Sequence, residues 1–413
     1  MTGLRICQVS PIFPYQEHLA GQRVAGKYRV GGIGQYIYFV TAELDRLGHQ
    51  VTVIAPRAPK DRNLTEVELK NGRIRRVSPL FSIYSGSVPL GILKALDPAD
   101  FDVIHAHVPM PTIAELAALR NLLSKRPFVL TYHNDVAGGS FWSRAVAAAY
   151  GLTLGPFLLG RADAIITTTW SYALNSRRLS RYLHKVRVAP CMVDVDRFHP
   201  GLAGDRIREK HGLGPENKVV LFVGGLLPYK GVEYLIRAMS KVVSLIPQAK
   251  LVIAGKGRCE DSLRAEVHQQ GIEGSVVFAG FVPDEDLPHY YAASDVFALP
   301  SVSSEEGFGI VQLEALACGK PVVTTSLPGV GEVDTEEVAS IHVPPRDAGA
   351  LANALVRILG NSEMAVSLGR RGRELCERKY TVAKVTQRLL EIYSQVMETK
   401  GRPAIREDRC VSA

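Results

Sequence analysis

Apolar and β-branched residues cluster in short runs along the first half of the chain, at 4–9, 51–55, 103–106, 128–132, 164–169 and 186–189. Each run is the length of a buried strand, and longer stretches with helical spacing lie between them. The clearest of these is 34–47, which Gly48 would stop. Short apolar runs alternating with helices point to a parallel sheet covered on both faces.

The pattern then breaks. Residues 190–200 lead into a polar stretch that ends at 214–217, after which strand-like runs resume at 219–223, 250–254, 275–279, 296–299 and 321–325. Helical stretches at 232–245 and 287–293 lie among them, and a last apolar-periodic stretch covers 382–397. The fold expected is α/β, with two doubly wound, Rossmann-like domains facing across a cleft. Ligands on such sheets sit at the carboxyl ends of the strands. The expected divisions are 1–195, 196–380 and a terminal segment 381–413.

A length of 413 residues supports two cores rather than one, and 46% apolar with 22% charged residues fits a globular chain. The N-terminal residues read as a first strand, so no leader is expected. The longest uncharged apolar stretch, 145–160, is broken by Gly151, Gly155 and Pro156, which suits a buried or interfacial helix better than a membrane span. Six cysteines stand singly with no C-x-x-C pair, so a zinc site and a disulfide framework are both disfavoured and a reducing cytoplasm is expected. The formal charge of +8 gathers partly at Arg73, Arg75 and Arg76 and at Arg177, Arg178, Arg181, Lys185 and Arg187. These read as solvated faces, or as attraction to a phosphate-bearing partner such as a nucleotide, a lipid or an anionic membrane. No nucleic-acid recognition module is visible.

The chemistry concentrates between Glu306 and Glu314. Gly307, Phe308 and Gly309 follow the first acid, and Ile310 and Val311 open an apolar helix. A helix start carries unpaired N–H groups and partial positive charge, which suits a phosphate. A carboxylate beside it accepts two hydrogen bonds, which suits neighbouring sugar hydroxyls. The plain alternative is a loop with two solvated acids. His133 ends the 128–132 run, where an open α/β sheet places ligand contacts. His105 and His107 would share one strand face, but with no third ligand at useful spacing a metal pair is not favoured. Gly31 and Gly32 open the first long helix and read as a turn needing positive φ. They come too late after the first strand for a dinucleotide fingerprint. Asp194-Val-Asp196 and Asp284-Glu-Asp286 match a D-x-D metal motif by letter, but read as a linker turn and a helix start.

Taken together these motifs resemble retaining, GT-B-fold, nucleotide-sugar glycosyltransferases of family 4. The residues 306–314 match the family's E-G-F-G-[IL]-x-x-x-E signature, Thr131–Asn134 its T-x-H-[DN] motif, and 190–200 its linker. Cys191 and Met192 replace the linker's usual Asn-Gly, which leaves its turn geometry open. The resemblance implies that Lys230 pairs the donor diphosphate. It implies that Glu306 meets the sugar hydroxyls and Glu314 the ribose, while the amides of Phe308, Gly309 and Ile310 face sugar and phosphate. It sets Gly31 and Gly32 beside the donor phosphate and the acceptor, His133 at the transferred sugar, Gly255 near the donor, and Gly280, Phe281 and Val282 at the base. Gly225 stands where the family has arginine. Three outcomes are open: Lys230 and backbone dipoles suffice, Lys256 or Arg258 replaces that cation, or the activity is weaker or altered.

The function implied is transfer of a hexosyl group from a uridine or guanosine diphosphate sugar to a hydroxyl acceptor, without metal or other cofactor. The basic clusters tilt the acceptor towards a lipid-linked one at the cytoplasmic membrane face. Two alternatives are a nucleotide-sugar sensor or partner subunit, to which Gly225 gives weight, and an epimerase on the same fold. A phosphorylase and a paired-carboxylate hydrolase fit less well.

Overall fold

The computed structural model describes residues 3–15, 31–57, 66–80, 82–83, 86–108, 112–135 and 148–402. Its contacts divide the chain into two units, Met1–Pro190 with Val382–Ala413, and Cys191–Thr381. The first division thus falls five residues before the one read from the sequence. The reason is local: Val193 donates its N–H to Tyr380 O at 2.9 Å and bridges Thr381, which ties the linker to the second unit. Cys191 and Met192, at the positions of the usual Asn-Gly, are buried there.

The first unit holds an eight-stranded sheet. Its strands are β1 (Arg5–Val9), β2 (Gln50–Pro56), β3 (Glu66–Glu68), β4 (Arg73–Val77), β7 (Val103–Val108), β8 (Phe128–Tyr132), β9 (Ala164–Thr167) and β10 (Val186–Val188); β5 (Ser82–Ile83) and β6 (Gly86–Ser87) form a separate small ribbon. The order is β10-β9-β8-β7-β1-β2-β4-β3, parallel except for β3 against β4. β1 lies between β2 and β7, so the strand order reverses there. The helix Gly32–Arg46 packs with the terminal helix Val382–Thr399, which therefore belongs to this unit.

β4 was hidden by its charge, and the basic cluster read at Arg73, Arg75 and Arg76 is corrected here. Arg76 is buried: its Nη1 and Nη2 donate to Phe13 O at 2.8 Å and Pro14 O at 2.6 Å, and its guanidinium lies 3.9 Å from the Tyr15 ring centre. It anchors the segment after β1 rather than facing solvent. In the second cluster, Lys185 Nζ donates to Gly160 O at 2.7 Å, at the end of the helix Leu154–Arg161, where a cation meets the negative end of the dipole. Residues 145–147 of the apolar stretch lie outside the described residues. Among the described residues no helix is long and apolar enough to cross a membrane.

The second unit holds six parallel strands, β11 (Lys218–Val223), β12 (Ala249–Ala254), β13 (Val276–Gly280), β14 (Val296–Leu299), β15 (Val322–Thr325) and β16 (Ser340–Val343). Their order is β13-β12-β11-β14-β15-β16. Helix Val232–Leu245 buries Leu235, Met239 and Val242, an i, i+4, i+7 stripe, in one core with Leu355 and Ile358 of helix Ala348–Leu359. The order reverses between β11 and β14, which are hydrogen-bonded neighbours. An open α/β sheet offers its ligand crevice at the carboxyl ends flanking such a reversal.

Candidate active site

In the second unit the two loops at that reversal carry the sequence-selected charges. Lys230 ends the turn after β11, and Glu306 lies in the loop after β14. Lys230 Nζ lies 2.5 Å from Glu306 Oε2, and Ser301 Oγ donates to the same oxygen at 3.1 Å. Both charged residues are 8% exposed, and Val302 N donates to Tyr229 O at 2.8 Å, joining the loops. Burial pulls the Lys230 pKa down, but the Glu306 carboxylate and Tyr229 outweigh it, so the ammonium is held above its ordinary range. Gly231 makes this approach possible: at φ +63° its backbone is left-handed, and a Cβ there would lie 2.2 Å from Pro300 O.

Gly309, at φ +78°, is the N-cap of helix Ile310–Ala317, and no side chain caps that helix start. Gln312 N–H donates to Gly309 O at 3.0 Å, while the N–H groups of Ile310 and Val311 have no partner among the described residues and remain usable by an anion. Gln312 Nε2 donates to Phe308 O at 2.6 Å and to Val330 O at 3.1 Å, which fixes the loop's shape. Gly307, Ile310 and Val311 are half-buried, and Phe308 is buried.

Glu314 lies one turn further along the helix. It is buried, and Tyr291 OH donates to its Oε2 at 2.7 Å. Burial pushes its pKa up to about 7 against the opposing pull of that hydrogen bond.

The loops after β11, β12 and β13 are joined by backbone bonds: Gly224 N to Ala254 O at 3.0 Å, Leu226 N to Lys256 O at 3.1 Å and Gly255 N to Gly280 O at 2.7 Å. Gly225 is exposed, and a Cβ on it would meet nothing nearer than 3.8 Å, so neither steric contact nor positive φ demands glycine there. The Lys256 stem lies against Gly280, since a Cβ on that glycine would be 3.3 Å from Lys256 Cε. Lys256 and Arg258 are exposed and form no ion pair among the described residues. Phe281 is 54% exposed, and Val282 is half-buried.

In the first unit, Gly31 precedes helix Gly32–Arg46 with φ −93° and ψ −174°. The expected positive-φ turn is therefore absent at Gly31, where the backbone is extended; both Gly31 and Gly32 are exposed. His133 is buried, and its Nε2 lies 3.3 Å from His107 Nδ1. His107 Nε2 lies 2.8 Å from Gln8 Oε1; His105 Nδ1 lies 2.6 Å from Tyr393 OH and its Nε2 2.6 Å from Thr131 Oγ1. Both ring nitrogens of His105 and His107 thus face hydrogen-bond partners. His133 is the third histidine that spacing along the chain did not reveal beside them. Desolvation holds the pKa of His105 and of His133 down to about 3, and that of His107 well below the ordinary value.

Neither D-x-D match gathers a metal-ligand set. Asp194 Oδ1 accepts from the N–H groups of Asp196 at 3.0 Å and Arg197 at 3.1 Å, and Asp286 pairs with Arg206. Among the described residues no group of three or more His, Cys, Asp and Glu is placed to hold a metal. Sequence reasoning missed Ser301, Tyr291, Gln312, Gln8 and Tyr393. They are common polar residues inside apolar runs or outside motifs, and nothing local marks them.

Known proteins resemble this chain in sequence and in fold. Residues 204–375 match the family model "Glycosyl transferases group 1", and 30–197 match "Glycosyltransferase Family 4". An uncharacterized glycosyltransferase of Methanocaldococcus jannaschii is 31% identical, over 90% of this chain and 96% of its own. The GDP-mannose-dependent alpha-(1-6)-phosphatidylinositol monomannoside mannosyltransferase of Mycolicibacterium smegmatis is 30% identical, over 90% of this chain and 97% of its own. Among solved structures, sucrose-phosphate synthase from Thermosynechococcus elongatus aligns with TM-score 0.73 at 23% identity, covering 96% of this chain and 100% of that one. Anabaena HepE in complex with UDP and glucose aligns with TM-score 0.69 at 19% identity, covering 95% and 99%. With two parallel-sheet units and these neighbours the fold is GT-B, and the chain belongs to the glycosyl transferases group 1, of the glycosyltransferase family 4 type.

Proposed function

We propose that the protein is a retaining hexosyltransferase whose donor is a nucleoside diphosphate sugar, with guanosine diphosphate mannose the first candidate and uridine diphosphate sugars the second. The observation that carries this reading is the buried Lys230–Glu306 pair at the strand-order reversal of the second unit. Lys230 would stabilise the charge that grows on the departing diphosphate, and the N–H groups at the start of helix Ile310–Ala317 would share it. Glu306 would accept from sugar hydroxyls, and Glu314 from the ribose. The bond from the anomeric carbon to the phosphate oxygen breaks as the bond to the acceptor oxygen forms on the same face. The acceptor's proton passes to the leaving phosphate. Lys230 and the helix dipole supply the positive charge in this scheme, so no metal is required. Mannose is favoured because a similar protein is named as GDP-mannose-dependent.

The acceptor proposed is a hydroxyl of a lipid-linked molecule, such as an inositol phospholipid, at an anionic membrane face. The support is that related proteins are named phosphatidyl-myo-inositol mannosyltransferases. The test is incubation of labelled guanosine diphosphate mannose with phosphatidylinositol vesicles, with and without a chelator. Transfer with retained anomeric configuration, unaffected by the chelator, is expected. Nucleotide binding without transfer to any acceptor would favour the sensor reading, which rests on the absence of a cation at Gly225.

A further inference from the structure

The buried polar chain of the first unit links three histidines to the terminal helix through one amide. Gln8 on β1 and His105 on β7 are register partners, as are His107 on β7 and Thr131 on β8. Gln8 touches His107 through Oε1 at 2.8 Å and Tyr393 OH through Nε2 at 3.4 Å. Tyr393 lies on helix Val382–Thr399, 385 residues from Gln8 in sequence.

With neutral rings, the sense of the Gln8 amide decides the tautomers of His107 and His133, and two senses are possible. In one, Gln8 Oε1 accepts from His107 Nε2–H, so His107 Nδ1 is bare and accepts from His133 Nε2–H. Gln8 Nε2 then donates to Tyr393, whose hydroxyl can pair with either tautomer of His105, as can Thr131 Oγ1. His107 and His133 then carry the proton on Nε2. In the other, the amide is reversed and both carry it on Nδ1. The amide of Gln8, with its oxygen towards His107, selects the first. Desolvation keeps the rings neutral, as such a chain requires.

We propose that Gln8 and Tyr393 are positioning residues that hold His133 with a bare Nδ1, so that the ring presents an acceptor to a substrate hydroxyl. The substrate's role rests on the function proposed above; the proton arrangement does not. His133 Nδ1 meets no hydrogen-bond partner among the described residues, so the lone pair is left for a ligand. The chain also gives the return of the terminal helix a function beyond packing. Without the Tyr393 hydroxyl, the Gln8 amide loses its second hydrogen-bond partner.

The test is long-range nitrogen–proton NMR of the full chain labelled with ¹⁵N-histidine, in wild type, Gln8→Met and Tyr393→Phe, without ligand. In wild type, His107 and His133 are expected as Nε2–H. In Gln8→Met, an Nε2–H on His107 would be a buried unpaired donor, so His107 and His133 are expected to pass mainly to Nδ1–H. In Tyr393→Phe, His133 is expected to show both forms. Wild-type His133 as Nδ1–H would overturn the proposal, and so would Nε2–H that persists unchanged in Gln8→Met. A role in packing alone would shift melting temperature without moving the tautomer. Guanosine diphosphate affinity, set by the second unit, is expected to be unchanged in both variants, so loss of the nucleotide reading would register separately.

Discussion

Replacing Glu314 by Gln separates the stability of the second unit from its function. The Glu314 carboxyl moves from an ordinary 4.5 to about 7 on folding because it is buried. At ~1.4 kcal/mol per pH unit this difference is about 3 kcal/mol. The sign follows from proton counting: between these values the folded chain holds a proton that the unfolded chain releases. The contribution is therefore present below pH 4.5 and lost as pH rises to about 7. Glu314→Gln has no such charge to bury, and its amide oxygen can still accept from Tyr291 OH. The variant is expected to match wild type near pH 4 and to exceed it by about 3 kcal/mol at pH 8, read from urea unfolding. Function runs the other way. If the ribose hydroxyls both donate to an ionised Glu314, wild-type affinity for a nucleotide sugar rises roughly 30-fold between pH 5.5 and 8.5. A nucleotide sugar is the right probe, since its diphosphate has no proton to lose in that range. Glu314→Gln should bind weakly with no such rise. A variant no more stable at pH 8 than at pH 4 relative to wild type, or one that binds as wild type does, would refute the reasoning.

Lys230→Met leaves the Glu306 carboxylate buried without its cation, which should cost about 3–5 kcal/mol and abolish nucleotide-sugar binding. Lys230→Met with Glu306→Gln should recover most of that stability and none of the binding, as measured by urea unfolding and calorimetry. Gly225→Arg meets nothing nearer than 3.8 Å at its Cβ and adds a cation at the carboxyl end of β11, so donor affinity should rise about tenfold by calorimetry. Gly231→Ala forces the backbone away from Pro300 O, so a loss above ~1 kcal/mol and weakened donor binding are expected.

The strands were legible because parallel sheets buried on both faces are written as continuous apolar runs. The 128–132 and 296–299 runs coincide with β8 and β14, and 232–245 with its helix. β4 was not legible, because its arginines masked the alternation of Ile74 and Arg76 into the interior. β16 was missed because Ser340 and His342 interrupt its apolar positions. Within the second unit, Lys230 and Glu306 were selected from separate motifs, and the strand-order reversal brings them together. Their partner Ser301 and the Tyr291 hydroxyl on Glu314 carried no local signal. The histidine chain was half legible: period-two spacing put His105 and His107 on one face, but only the sheet order adds His133 and Gln8. Tyr393 required the terminal helix to pack within the first unit.

The claim on which the account turns is that a nucleoside diphosphate rests on the helix start at Gly309 and on Lys230. The direct measurement is titration of guanosine and uridine diphosphates into the labelled chain, followed at the backbone amides of Phe308, Gly309 and Ile310. Saturable shifts at those amides, lost in Lys230→Met, are the result expected. Amides that stay still while nucleotide binds elsewhere, or no binding of either nucleotide, would contradict it.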